Sequence, residues 1–346
     1  MNWQMQAVIL TAELISGFVF GRMLIPYFRK IKTGKLELYI GDRFQKDGSE
    51  PKFGGIVIML TVALGLCIGS FYQSLTSVSD LSGDYDIRLV LLGGFVCILL
   101  LGIGIHEDYV KEKKLGIGIK PLYKYIMEFT VCTCFLLMVK AFGFGSEEVL
   151  LPFRLGYINF GMLYYPLMGI FMTVGINLVK LHDCPNGVTE YGIDGLCAVS
   201  ALIFSLGMAS AAAFSTKLSI AGLFAVCTAG AASAYLFWGV SPSKLYIGES
   251  GGLLLGGLLS IMVIYSKLHI LFLLMGLGFV IDGICAGLQR IVFRKSKKLL
   301  FKGNTLHEHF QKKGFGEYKI MLVFSLLNLL GCAGGIAFVV YSEKFL

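Results

Sequence analysis

Four stretches of the sequence put ionisable side chains at the ends of apolar runs, where such groups are expensive and by default mark function. Residues 104–111 read Gly-Ile-His-Glu-Asp-Tyr-Val-Lys. Glu107 and Asp108 are adjacent carboxylates, and Lys111 follows at helical spacing on the same face. Two neighbouring anions repel, which favours a cation such as Mg2+ or proton-acceptor work. A solvated helix end explains this motif equally well when it is taken alone. A second stretch runs from Asn177 through Lys180, His182 and Asp183 to Gly192-Ile193-Asp194-Gly195-Leu196. Glycines there let backbone N–H groups approach a ligand at a helix N-terminus, although short Asp-Gly pairs are common turns. In the third, Ser243 to Gly252, Glu249 lies among glycines beside Tyr246. That carboxylate suits a metal carrying phosphates, or simply a helix dipole. The fourth holds His307, Glu308 and His309. Zinc is disfavoured because no third or fourth ligand stands at standard spacing, so imidazoles contacting phosphate or sugar are the better reading. Together these parts suit chemistry on a phosphorylated substrate at a membrane surface. ATP or GTP hydrolysis is disfavoured by the lack of a Walker motif.

The elements that must position these residues are membrane helices. Of 346 residues, 56% are hydrophobic and only 15% charged, and mean hydropathy is +0.75. A soluble globule would expose that apolar excess, and a disordered chain would leave it unburied. Ten apolar runs lie near 5–26, 53–73, 88–106, 122–143, 159–178, 193–214, 218–239, 251–266, 268–292 and 319–342, each long enough to cross as a helix. The first lacks the basic start and small-residue cleavage site of a signal peptide. The expected fold is all-α: one polytopic membrane domain over 1–346 with about ten transmembrane helices and both termini outside. Of the 30 Lys and Arg residues, 23 fall in or beside alternate loops, at about 27–52, 107–121, 179–192, 240–250 and 293–318. The positive-inside rule makes those loops cytoplasmic, and the resulting basic face attracts anionic lipid and anionic substrates. Nucleic acid is not an expected partner, since the cations are split among loops without a binding motif. A transporter is disfavoured because the polar groups gather at one face rather than the midplane. Eight of the nine cysteines lie in apolar runs and read as small core residues.

From about Lys46 to the last helix, the motifs resemble those of the phospho-N-acetylmuramoyl-pentapeptide transferase family, in the superfamily of polyprenyl-phosphate N-acetylhexosamine phosphate transferases. Pro51-Lys52-Phe53-Gly54-Gly55 looks like the family's Pro-Thr-Met-Gly-Gly, and Glu107-Asp108-Tyr-Val-Lys111 like its Asp-Asp-Tyr-Leu-Lys. Asn177 to Leu196 resembles its Asn-rich segment ending Asp-Gly-Leu-Asp-Gly-Leu. Lys244 to Glu249 resembles Lys-Val-Phe-Met-Gly-Asp, and Leu306 to Phe310 resembles Leu-His-His-His-Phe. The resemblance implies transfer of phospho-N-acetylmuramoyl-pentapeptide from its UDP carrier to undecaprenyl phosphate, giving lipid I and UMP, in the bacterial inner membrane with the site facing the cytoplasm. By carry-over, Glu249 holds Mg2+, or Mn2+, on the diphosphate. Glu107 and Asp108 bind or deprotonate the lipid phosphate, aided by Lys111 and Lys124. Asp194, with Gly192, Ile193 and Lys46, binds uridine, on which Tyr246 stacks. Asn177, Lys180 and Asp183 line the phosphate and sugar region, and His307, Glu308 and His309 the sugar and peptide side. A homodimer is left open. Glu stands where the family has Asp at 107 and 249, Lys180 replaces its second Asn, and Glu308 its middle His. About eight extra residues, Cys184 to Tyr191, interrupt the uridine loop. These departures keep two alternatives in view: a transferase using another UDP-N-acetylhexosamine, and a non-catalytic binder of nucleotide-sugar or nucleoside antibiotic.

Overall fold

The computed structural model describes residues 3–31, 51–76, 86–113, 118–152, 155–182, 192–215 and 218–342, with the side chains of 31, 76, 112 and 113 excepted. Among these residues twelve α-helices follow one another: α1 (Trp3–Ile31), α2 (Gly54–Thr76), α3 (Ile87–Lys113), α4 (Pro121–Ala141), α5 (Tyr164–Leu181), α6 (Leu196–Ala213), α7 (Ser219–Gly239), α8 (Gly248–Ser266), α9 (Ile270–Met275), α10 (Leu277–Ser296), α11 (Leu306–Lys312) and α12 (Glu317–Ser342). Between α4 and α5 the chain forms a small antiparallel hairpin, β1 (Glu148–Leu150) on β2 (Tyr157–Asn159), with Val149 opposite Ile158. The chain is thus an all-α membrane protein. Nine helices among the described residues are long and apolar enough to cross a bilayer.

Burial separates centre from rim. The apolar stretch of α8 is 94% buried and that of α7 83%, whereas α1 shows 28% and α12 33%. A helix that is apolar all round belongs inside a bundle, and α8 packs against α2, α3, α5 and α7. Small residues permit the approach: a Cβ on Gly256 would lie 2.6 Å from the Ile176 Cα, so the α5 backbone runs directly along α8. The rim presents Phe71, Leu91 and Leu330 outward, as a lipid-facing surface does.

One expectation is corrected. The ninth apolar run, 268–292, is not a single spanning helix but α9 and α10, divided at Gly276. The break is tolerated because a neighbour satisfies the freed backbone: the Gly278 amide donates to Asn328 Oδ1 of α12 at 2.8 Å. A Cβ on Gly331 would sit 2.0 Å from the Leu274 carbonyl oxygen, so α12 fills the break closely. The broken pair still runs the length of α5. His269 meets Tyr164 at one end of α5 and Asp282 meets His182 at the other.

Candidate active site

The C-terminal ends of α3 and α5, the start of α4 and the N-terminus of α8 converge at one end of the bundle. The loop before α2 joins them through backbone pairing: the Tyr246 amide donates to the Pro51 carbonyl at 2.9 Å, and the Gly54 amide to the Tyr246 carbonyl at 3.0 Å. Gly248 starts α8 with φ +69°, and a Cβ there would lie 2.3 Å from the Lys52 carbonyl oxygen. Only glycine enters the helix so close to that strand of backbone. Asp108 then caps α8 from α3: its two carboxylate oxygens accept from the Glu249 and Ser250 amides, both at 2.9 Å. This satisfies orphan donors of the helix and places an anion at its positive end.

With α8 fixed in this way, Glu249 faces three ammonium groups. Lys111 of α3 lies 2.5 Å from Oε1, and Lys124 of α4 and Lys180 of α5 lie 2.7 Å from Oε2. Glu107 joins the cluster from α3. Its Oε1 is 3.3 Å from Lys111, at the expected helical spacing, and its Oε2 pairs with Lys124. The carboxylates and Lys124 are nearly inaccessible, while Lys111 is 26% and Lys180 17% exposed, so the cluster opens on the lysine side. Asn177, one turn before Lys180, donates to Glu128 Oε2 at 2.5 Å and to the Thr173 carbonyl at 2.9 Å. The carried-over residues Glu107, Asp108, Lys111, Lys124, Lys180 and Glu249 are therefore brought together, with Asn177 at the edge.

The residues that the resemblance assigns to uridine form a second group, beside the start of the loop that leads to Glu249. The Ser243 hydroxyl donates to Asp194 Oδ2 at 2.7 Å. The Gly192 carbonyl accepts from Gln311 of α11 at 3.3 Å, and Ile193 packs with Leu196, Ile320 and Phe324. The loop from Ser243 to Glu249 thus runs from Asp194 to the lysine cluster past the half-buried Tyr246, a reach of at most about 20 Å. Lys46, Asp183 and the Cys184–Tyr191 insertion lie outside the described residues.

The histidine motif goes elsewhere. His307 is fully buried. Its Nδ1 donates to Asp282 Oδ2 at 2.5 Å, and the Thr305 hydroxyl lies 3.2 Å away. His182 Nδ1 donates to the same Asp282 oxygen at 2.9 Å, and its Nε2 meets the Ser200 hydroxyl at 3.0 Å. Asp282 Oδ1 accepts from the Leu306 and His307 amides at 2.9 and 3.2 Å, capping α11. Complete burial holds the His182 pKa below its ordinary value, against the pull of Asp282. Glu308 is buried too, and its Oε2 accepts from the Asn304 amide at 2.7 Å. His309 accepts at Nδ1 from the Lys302 amide at 3.0 Å, and its pKa is lowered by desolvation and by Lys313 and Lys302. His182, Asp282 and His307 would supply three ligand atoms close enough for a metal ion. Their hydrogen bonds already close on one another and on Ser200.

Sequence reasoning missed Asp282 and Glu128. Each is a carboxylate inside an apolar run, and the cost of charge at membrane depth, applied residue by residue, would have found both. No sequence signal singles out Ser200 or Ser243.

A divalent cation at Glu249 needs oxygen ligands. Every carboxylate oxygen of Glu107 and Glu249 faces a lysine ammonium, and both of Asp108 accept backbone amides. A magnesium ion placed there would meet three like charges, so the residues present, as arranged, do not fit it.

A family model described as glycosyl transferase family 4 matches residues 89–267, the span that carries every member of the lysine cluster. Similar proteins include the phospho-N-acetylmuramoyl-pentapeptide-transferase of Halalkalibacterium halodurans, 30% identical over 93% of this chain and 95% of its own length. That of Carboxydothermus hydrogenoformans is 30% identical over 92% and 95%, and that of Bacillus subtilis 28% identical over 95% of both chains. The chain belongs to glycosyl transferase family 4 and to the family of the phospho-N-acetylmuramoyl-pentapeptide-transferases.

Proposed function

We propose that the chain transfers phospho-N-acetylmuramoyl-pentapeptide from UDP-N-acetylmuramoyl-pentapeptide to undecaprenyl phosphate, forming lipid I and UMP. The observation that carries this reading is the convergence of Lys111, Lys124 and Lys180 from three helices on the N-terminus of α8. Phosphoryl transfer asks a protein mainly for positioning and for positive charge where negative charge develops. An oxygen of the lipid phosphate attacks the sugar-bearing phosphorus of the donor. The new oxygen–phosphorus bond forms as the bond to the UMP oxygen breaks, and UMP leaves with that electron pair. The three ammonium groups hold the diphosphate and offset its charge. Glu107 takes a proton from the lipid phosphate when that group arrives as a monoanion. Asp108 keeps the α8 N-terminus in place. Asp194, Tyr246 and the backbone of Gly192 and Ile193 hold the uridine at the other end of the loop from Ser243 to Glu249.

The reacting face is cytoplasmic, with both termini outside. The support is charge: Arg29, Lys30, Arg294 and Lys295 close α1 and α10, and the lysine cluster lies at the ends of α3 and α5.

A second transferase reading, with another UDP-N-acetylhexosamine as donor, draws on the inward bonds of His307 and Glu308. Buried side chains of that kind do not present themselves to a muramoyl peptide. One experiment addresses both readings. Purified full-length protein with undecaprenyl phosphate is given radiolabelled UDP-N-acetylmuramoyl-pentapeptide or UDP-N-acetylglucosamine, and lipid product and UMP are measured. Exclusive use of the first supports the proposal, exclusive use of the second replaces it, and no product from folded protein refutes both.

A further inference from the structure

The position that a divalent ion would take at Glu249 is approached instead by a side chain. Lys180 leaves α5 where that helix lies flush against α8: a Cβ on Gly252 would touch the Lys180 Cα, Cβ and Cγ at 3.3–3.4 Å. The stem of the lysine is therefore fixed by packing, and its ammonium meets Glu249 Oε2 at 2.7 Å. Lys111 meets Glu249 Oε1 at 2.5 Å, and Lys124 shares Oε2 with Lys180 at 2.7 Å. Among the described side chains, Lys111, Lys124 and Lys180 cover the carboxylate oxygens of Glu107 and Glu249, both Asp108 oxygens accept backbone amides, and a fourth carboxylate, Glu128, accepts from Asn177. A dication added at Glu249 would have to displace a packed lysine from its oxygens.

We propose that Lys180 supplies at Glu249 the positive charge that a divalent ion would otherwise bring, so that this chain holds its diphosphate donor and transfers the phosphosugar without a resident metal. The inference rests on the transferase reading above. An ammonium and a dication differ in a testable way: the first is covalently present and needs no loading, and removing it opens an oxygen of Glu249 to a metal.

The test uses Mn2+ alone as a probe, on full-length protein in nanodiscs, with bound and free ion separated by electron paramagnetic resonance. Wild-type protein is expected to show no Mn2+ binding that K180Q or E249Q alters downward. K180Q is expected to gain one site at least tenfold tighter than any in the wild type, and K180Q/E249Q to lose it again. In parallel, wild-type turnover after EDTA treatment is expected to stay within twofold of turnover with added Mg2+. A wild-type Mn2+ site that E249Q abolishes overturns the inference, as does a folded K180Q that gains no site, or turnover that EDTA removes and Mg2+ restores. Should K180Q fail to fold, the comparison of wild type with E249Q still decides. Should neither donor be turned over, the transferase reading fails, and the Mn2+ measurements judge Lys180 on their own.

Discussion

Two buried ionic clusters occupy the same end of the bundle and share one device. Asp108 reaches across from α3 to cap α8, and Asp282 reaches across from α10 to cap α11. Beyond that device they diverge. The Asp282 cluster joins two imidazoles and two hydroxyls in a network whose side chains are 0% exposed at His182, His307 and Asp282. The Glu249 cluster gathers three cations from three helices, and two of them reach solvent. The first is closed by its own hydrogen bonds, so its weight falls on stability and on the placement of α11. The second holds positive charge at an opening, where an anionic ligand can compete for it. Burial of charge does not by itself separate a reaction site from a structural one; access and the sign of the reachable groups do.

The comparison can be broken from either side. The largest effect is expected from Asp282→Ala, which strands two histidines and the α11 amides. Losing one partner of a buried ionic network costs roughly 3–5 kcal/mol, so thermal unfolding should shift strongly while transfer per folded molecule changes less than threefold. A variant of normal stability with little turnover would move this cluster into the reaction site. Glu249→Ala is the converse. Turnover should fall by about a hundredfold, as for a misplaced group in a positioned site, with a monodisperse, helical protein remaining. Turnover within twofold of wild type would take Glu249 out of the mechanism. Asp108→Asn should lower turnover by about tenfold, since an amide keeps one acceptor for the α8 cap and loses the other. An unchanged rate would mean that the cap serves folding alone.

The smallest effect concerns pH. Burial lowers the His182 pKa in the folded protein, so the unfolded chain takes up a proton that the folded chain refuses. The stabilisation is complete above about pH 6.5, the unfolded value, and is lost as pH falls through the window below it. The unfolding midpoint should drop between pH 7.5 and 5.5 by on the order of 2 °C, and His182→Gln should reduce that drop. A larger drop in the variant would place the titrating group elsewhere.

Much of this molecule was legible in its residues. The apolar runs became helices within a few positions, and Glu107 and Lys111 met at the spacing expected of one helical face. The exception among the runs is instructive. The segment 268–292 has the length and composition of a spanning helix, yet Asn328 and Gly331 of α12 accommodate a break at Gly276. Nothing in the segment itself announces those partners. The histidine motif taught the reverse lesson. Its residues read as ligand groups because they are polar and lie in a loop, and the structure buries His307 and Glu308 in internal bonds.

Composition, the length of the apolar runs and motif order determined by themselves that this is an all-α membrane protein with ionic groups gathered at helix ends. These are local properties, written along the chain in stretches of one helix each. Which ionic groups meet was decided only in three dimensions. Lys111 and Glu249 stand 138 positions apart, Lys124 and Glu249 125, and His182 and Asp282 100. Contacts at such separations depend on how α3, α4, α5 and α10 pack against their neighbours. That packing is set by glycine-permitted close approaches and crossed helix caps, which act between elements and leave no period in the sequence.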